Sequence, residues 1–286
     1  MEQQHRISYL GPKASFTHLA ALSVFPESEL LPFVSIPECI EAVAEGKVDY
    51  AVVPLENALE GSVPLTVDYL FHEVQLFVTA EVLSPIRQHL LVHPDNAGSD
   101  SFEAIYSHPH ALAQCHKFLY YTYKSTPLQP YSSTSAAAKM VSELPERNIA
   151  AIANSFSAEQ YGLEVKHADI HDFHFNHTRF YVLSKVNHHL KKPGDDVQVK
   201  TTLMISPPED DRSGVLHRVL SVFAWRQLNL SKIESRPLKT GLGDYFFIAD
   251  VLEDEDAPMM RGAFEELAAL GCTVKTLGSY YTYRSE

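Results

Sequence analysis

Long apolar runs, cysteine frameworks and blocks of basic residues are all missing from this sequence. No stretch approaches the ~20 apolar residues that a membrane-crossing helix needs, so a membrane partner is not expected. Residues 1–6 are polar and lack a secretory apolar segment. The three cysteines, Cys39, Cys115 and Cys272, lie far apart in mainly apolar surroundings. That usage suits buried thiols in a reducing cytoplasm better than a disulfide frame or a zinc knuckle. Basic residues number 23 against 36 acidic ones, a formal net charge of −13. With no compensating Lys/Arg cluster, nucleic acid is not an expected partner either. A small anion stays open, because a local pocket of arginine, hydroxyls and helix N-termini binds a carboxylate even in an acidic chain.

What is present points to an α/β protein. The 286 residues exceed one ordinary core, so roughly two or three units are expected. Residues 7–10 read as a strand, Gly11-Pro12 as a turn and residues 14–24 as a helix whose first turn holds Ser15 and Thr17. Free backbone N–H groups there favour an anion, although the same residues serve equally as ordinary helix caps. Residues 48–54 form a strand apolar on both sides, as in a covered parallel sheet. The polar break that follows, residues 55–63, lies at the carboxyl end of that strand, where open α/β sheets place ligand crevices. Glu56 and Asn57 are therefore site candidates, with a turn acid and an Asx-turn as the plain alternatives.

Residues 75–84 and 89–93 look extended. A helix is expected from Pro109 through Leu119, with Ser107 as its N-cap and Gln114 about two turns in. Ser132 to Ser135 open another hydroxyl-rich helix start, residues 148–153 make a buried strand, and Gly162 reads as a left-handed helix stop. Then comes Phe175-Asn176-His177-Thr178-Arg179-Phe180, where an amide, a hydroxyl and a guanidinium precede an apolar strand. Such a strand entry can hold Thr178 and Arg179 at the rim of a sheet, within reach of a small anion. His167, His171, His174 and His177 have a spacing that invites a metal reading, but no Cys or His-Glu-x-x-His frame accompanies them, and no metal is assigned.

A composition shift over residues 185–196 marks a linker, and the elements beyond it run βαββαβ, the ferredoxin-like split arrangement. The expected division is residues 1–185 as an α/β unit with two lobes and a cleft, 186–197 as linker, and 198–286 as a second domain.

Several short segments, in order, resemble the prephenate dehydratase family: residues 9–17 (YLGPKASFT), 53–57 (VPLEN), 107–109 (SHP), 113–115 (AQC), 133–137 (STSAA) and 176–180 (NHTRF). The tail resembles the ACT regulatory domains attached to that family, through Gly214-Val215-Leu216, Asn229-Leu230 with residues 231–233, and Glu234-Ser235-Arg236-Pro237. The resemblance implies a two-lobed, periplasmic-binding-protein-like catalytic domain followed by an ACT domain. Three positions depart from the family pattern. Ala14 replaces a frequent Gly, Ala58 a common Ser, and His110 a frequent Gln.

The implied reaction converts prephenate to phenylpyruvate by joint loss of carbon dioxide and the ring hydroxyl, with no cofactor or metal. Such a site must hold two carboxylates, help the hydroxyl leave, and keep the ring carboxylate poorly solvated. By resemblance, Thr178 protonates or hydrogen-bonds the leaving group and Glu56 supplies or orients that proton. Asn57, Ser107, Gln114 and Asn176 position substrate oxygens, Ser15 and Thr17 offer a helix start to a carboxylate, Arg179 clamps or supports, and Phe180 lines the site. The tail implies an L-phenylalanine site shared between subunits of a homodimer or of a dimer-of-dimers tetramer, acting as feedback inhibition. An arogenate dehydratase and a non-catalytic amino-acid sensor are the competing readings.

Overall fold

In the computed structural model, the described residues are 5–208, 213–238 and 245–285; the polar opening at residues 1–4 lies outside them. The chain forms two compact units. One comprises Met1–Val67, Val82–Phe180 and Arg284–Glu286, the other Asp68–Glu81 and Tyr181–Tyr283.

In the first unit, strand Arg6–Leu10 pairs in parallel with Glu29–Phe33 on one side and Tyr50–Asn57 on the other. Ala51, Val52 and Val53 are fully buried, as expected for a strand covered on both faces. Helices Phe16–Val24 and Ile36–Ala44 fold back from these strands, each started by a serine whose Oγ accepts a backbone N–H, Ser15 from His18 and Ser35 from Glu38. Strand His177–Ser184 lies next to Tyr50–Asn57.

A second sheet in the same unit runs Glu164–His167, His89–Val92, Ala150–Ala153, Ile105–Ser107, Leu128–Pro130. Strands His89–Val92 and Ala150–Ala153 carry apolar residues at every position but His89 because alternate side chains feed two cores. Leu90, Val92, Ala150 and Ile152 pack with Ala111, Cys115 and Leu119. Leu91, Ala151 and Ala153 pack with Ala137, Ala138 and Val141 on the other face.

The second unit contains the expected βαββαβ order: Lys200–Ser206, Val215–Trp225, Leu230–Pro237, Tyr245–Val251, Pro258–Ala269, Thr273–Arg284. Its strands are antiparallel, with Lys200–Ser206 between Tyr245–Val251 and Thr273–Arg284. Val219, Val222 and Phe223 of one helix and Met260, Ala263 and Leu267 of the other bury against Leu203, Ile205, Phe247 and Ala249.

Three local features differ from expectation. Helix Pro64–His72 was not foreseen, since its mix of Pro, Thr, Val and aromatics is too short to show a clear helical period. The helix expected through residues 109–119 divides at Cys115, whose φ of −111° and ψ of 18° leave the helical region. Its N-cap is His108, whose side chain accepts from the backbone N–H of His110, and not Ser107, which ends a strand. Gly162, by contrast, is the left-handed cap expected, with φ 66°.

Candidate active site

A cavity of about 900 Å³ opens within the first unit. It is lined by the loop Gly11–Lys13, the start of the first helix, the end of strand Tyr50–Asn57, the helix start at His108–Gln114, the hydroxyls Ser132–Thr134, and strand residues Thr178 and Phe180. Its volume falls in the upper part of the range of small-molecule sites, about 300–1,000 Å³.

Strand alternation decides which side chains face it. Thr178 and Phe180 are buried and line the cavity, while Arg179 between them points the other way and pairs through Nη1 with Glu56 Oε2 at 2.8 Å. On the neighbouring strand Glu56 and Asn57 divide in the same manner, and Asn57 is the one on the cavity side.

Asn57 is held from several directions. Its Oδ1 accepts the backbone N–H groups of Leu59 at 3.0 Å and Glu60 at 3.2 Å, an Asx-type turn. Those donors fix which end of the amide is oxygen. Nδ2 therefore donates, to Thr178 Oγ1 at 2.9 Å and Asn176 Oδ1 at 3.0 Å, with His177 O at 3.4 Å. Because Thr178 Oγ1 receives this bond, its own O–H remains available, and it donates to no described residue. The hydroxyl is a donor presented to the cavity.

Unsatisfied buried polar atoms gather at the same place. Gln88 Oε1 and Gln114 Oε1, both on residues that line the cavity, and Asn176 Nδ2 beside it have no partner among the described residues. Buried amide groups left this way cost free energy unless a ligand completes them. Gln114 Nε2 is used, donating to Glu60 Oε1 at 3.2 Å, and Glu60 Oε2 also meets His110 Nδ1 at 2.6 Å. Glu60 thus ties the turn after Asn57 to the helix Pro109–Gln114. His108 stands edge-on to His110, and burial, then His110, lowers its pKa, against the pull of Glu60.

The loop ahead of the first helix is held in a left-handed turn. Ala14 has φ 64°. Its N–H donates to His18 Nδ1 at 3.0 Å, and its carbonyl accepts from Asn154 Nδ2 at 3.0 Å and Ser157 Oγ at 3.1 Å. His18 stacks on Tyr9 at 4.7 Å, and burial, aided by Lys13, lowers its pKa to about 4.

Of the residues assigned from the sequence, Thr17, Asn57, Gln114, Thr178 and Phe180 line the cavity. Ser15, Glu56, Ser107, Asn176 and Arg179 do not: Ser15 caps the first helix, Ser107 Oγ donates to Ile152 O at 2.6 Å, and Asn176 stands behind Asn57. Lys13, Glu60, Gln88, His108 and His110 line the cavity without having been assigned. Glu60 and the two histidines lay inside or beside matched segments, whereas Gln88 sits between a charge and an apolar strand and carries no sequence signal.

The model of the family described as "Prephenate dehydratase" matches residues 7–188, and that described as "ACT domain" matches residues 210–269. This chain belongs to the prephenate dehydratase family. The curated prephenate dehydratase of Bacillus subtilis (strain 168) is 53% identical over 98% of this chain and 99% of its own. A solved prephenate dehydratase from Arthrobacter aurescens, in complex with L-Phe, superposes with a TM-score of 0.83 at 32% identity, over 96% of this chain and 89% of that one. A structure described as GqqA, a novel type of quorum quenching acylase, superposes with a TM-score of 0.82 at 28% identity, over 97% and 98% of the two chains. Shared fold alone does not fix a reaction. The family match and the near-complete alignment at 53% identity make the chain a carbon–oxygen lyase of that family, with an ACT domain.

In the ACT domain, Gly214 starts the helix Val215–Trp225 at φ 91°, a conformation that other residues adopt only with strain, and no described atom crowds the place of a Cβ. Leu216 is exposed, and the Asn229 carbonyl accepts from Leu252 N–H just before Leu230. Strand Leu230–Pro237 alternates strictly. Glu234 and Arg236 lie on its half-buried face, where Arg236 Nη2 meets Asp68 at 3.1 Å and Nη1 meets Glu234 at 3.9 Å, while Ser235 and Pro237 are exposed on the other.

Proposed function

We propose that the cavity carries out the decarboxylative dehydration of prephenate with Thr178 as the donor to the departing ring hydroxyl. The observation that carries this reading is the Asn57 to Thr178 hydrogen bond of 2.9 Å, which occupies the Thr178 oxygen and frees its proton. A threonine hydroxyl is a weak acid, so it acts by hydrogen bonding to developing charge more than by full proton transfer. Asn57 orients it with Asn176 behind, and the unpaired Oε1 atoms of Gln88 and Gln114 offer acceptors for a substrate O–H. Thr17 and Lys13 stand at the helix-start side of the cavity for a substrate carboxylate, and Phe180 supplies an apolar wall against which the ring carboxylate is poorly solvated. Ser15 and Ser107 support the loops, and Glu56 with Arg179 locks the two strands from behind.

The regulatory half of the reading is inhibition by L-phenylalanine. Residues 214–216, 229–230 and 234–237 would hold the amino acid between two subunits of a homodimer, itself able to pair into a tetramer. The Arthrobacter protein's complex with L-Phe supports this, as does strand Leu230–Pro237, a sheet edge whose Ile233 is exposed. Residues 1–185 would act as the catalytic module and 198–286 as the regulatory one, joined through 186–197, in the cytoplasm.

Phenylpyruvate formation from prephenate is measured for the intact chain and for Thr178→Ala, each with and without L-phenylalanine, and again with arogenate. Turnover lost by about 10²-fold or more in the variant, with inhibition of the intact enzyme, is the expected result. Unchanged turnover in Thr178→Ala removes the catalytic assignment, and indifference to L-phenylalanine removes the regulatory one.

A further inference from the structure

A second cavity, of about 490 Å³, lies in the first unit and has no place in the mechanism above. Its lining combines two arginines, two histidines, the polar Asn154, Ser155 and Ser285, and apolar side chains, with no carboxylate among the described residues. Arg87 and Arg284 stand at its edge, both exposed, and neither guanidinium has an acidic partner among the described residues. Both guanidiniums are therefore uncommitted among the described residues.

Two buried groups of the lining offer hydrogens that no described residue takes up. His89 is 7% exposed, and its Nδ1 accepts the Asp169 N–H at 3.0 Å, which leaves the proton of the neutral ring on Nε2. The Ser285 hydroxyl, on a residue 9% exposed, has no partner among the described residues. The remaining wall includes Phe16 and Leu83, so the donors sit against an apolar surface.

We propose that this cavity is a second binding site, for a small organic carboxylate with an apolar body. The guanidiniums supply charge and planar two-point recognition of the carboxylate, His89 and Ser285 complete its hydrogen bonds, and the apolar wall takes the hydrocarbon. Phe16 belongs to the walls of both cavities, and His177, which lines the second, immediately precedes Thr178 in the first. Occupancy is thereby coupled to substrate binding in the larger cavity.

The test is a ligand-observed fluorine NMR titration of the full chain with 4-fluorobenzoate, fluorobenzene and inorganic phosphate. Fluorobenzoate should bind the unmodified chain, and Arg87→Gln/Arg284→Gln should weaken it at least tenfold, while Lys13→Gln in the other cavity leaves it unchanged. Thermal melting checks that the double variant is folded, and its basal prephenate turnover should match that of the unmodified chain. Fluorobenzoate should raise KM for prephenate in the unmodified chain and not in the double variant. Equal binding by both proteins, or equal binding of fluorobenzene, would overturn the site. Tighter binding of phosphate would overturn the carboxylate assignment, and affinity that appears only after removal of Glu286 would overturn the site by assigning the guanidiniums to that residue. An unmoved KM would overturn the coupling. None of these binding outcomes depends on Thr178, so they separate from the catalytic reading.

Discussion

Arg179 and Glu56 meet at 2.8 Å across two neighbouring strands, on the side opposite Thr178 and Asn57. Both pairs join the same two strands, one by charge and the other by an amide and a hydroxyl. Both charged side chains are mostly covered, 16% and 29% exposed, so removal of one leaves the other poorly solvated. Glu56→Gln and Arg179→Gln should each lower stability by about 1–3 kcal/mol in chemical denaturation, and the double variant should lose less than their sum. Glu56→Gln should retain a measurable fraction of turnover; a loss equal to that of Thr178→Ala would place Glu56 in the chemistry.

Asn57→Asp tests the direction of the hydrogen bond. A carboxylate beside Thr178 would accept the hydroxyl proton that the amide leaves free, so the donor would turn away from the substrate. Turnover should fall by about 10²-fold with KM moved far less, whereas Thr178→Ser should keep much of the rate.

Ala14 is held at φ 64°, which costs a non-glycine residue about 1–2 kcal/mol. Its methyl group is fully buried, which returns roughly 0.8 kcal/mol, and glycine would add entropy to the unfolded chain. These terms nearly cancel. Ala14→Gly should therefore change stability by less than about 1 kcal/mol, while Ala14→Val, branched at a left-handed position, should cost well over that. Denaturant midpoints of the two variants decide it.

The loop at Ala14 should also respond to pH. His18 must be neutral to accept the Ala14 N–H, and its folded pKa of about 4 lies below the ordinary 6.5. The folded state thus disfavours the proton. Its contribution to stability is complete above pH 6.5 and is lost as pH falls from there to about 4. Hydrogen exchange at the Ala14 amide should accelerate over that window, and His18→Gln, which retains an acceptor, should flatten the response.

Glu60 bridges His110 and Gln114, with both ionic partners well exposed, so the pair itself contributes little stability. Its effect should be on binding. Glu60→Ala should leave the melting temperature nearly unchanged and raise KM several-fold by freeing Gln114, and His110→Gln should keep most of the affinity because an amide can still meet Glu60.

Most of the architecture was legible along the chain. Apolar strands covered on both faces, hydroxyls at helix starts, the αL glycine at 162 and the βαββαβ tail are local patterns, since hydrogen bonding and side-chain period act over a few residues. The segments around Asn57 and Thr178 were legible for the same reason, as polar clusters at the ends of apolar strands. Tertiary structure decided the rest. Which of Thr178 and Arg179 faces the cavity depends on strand pairing, because a pleated strand sends neighbours to opposite sides whatever their chemistry. Ser107 looked like a cap until the sheet claimed its hydroxyl for Ile152. Gln88, Glu60 and His110 come to the cavity from separate elements, and the pairing of Glu60 with Gln114 spans 54 positions of sequence. No local rule carries contacts over that distance; they exist only once two sheets have folded around one space.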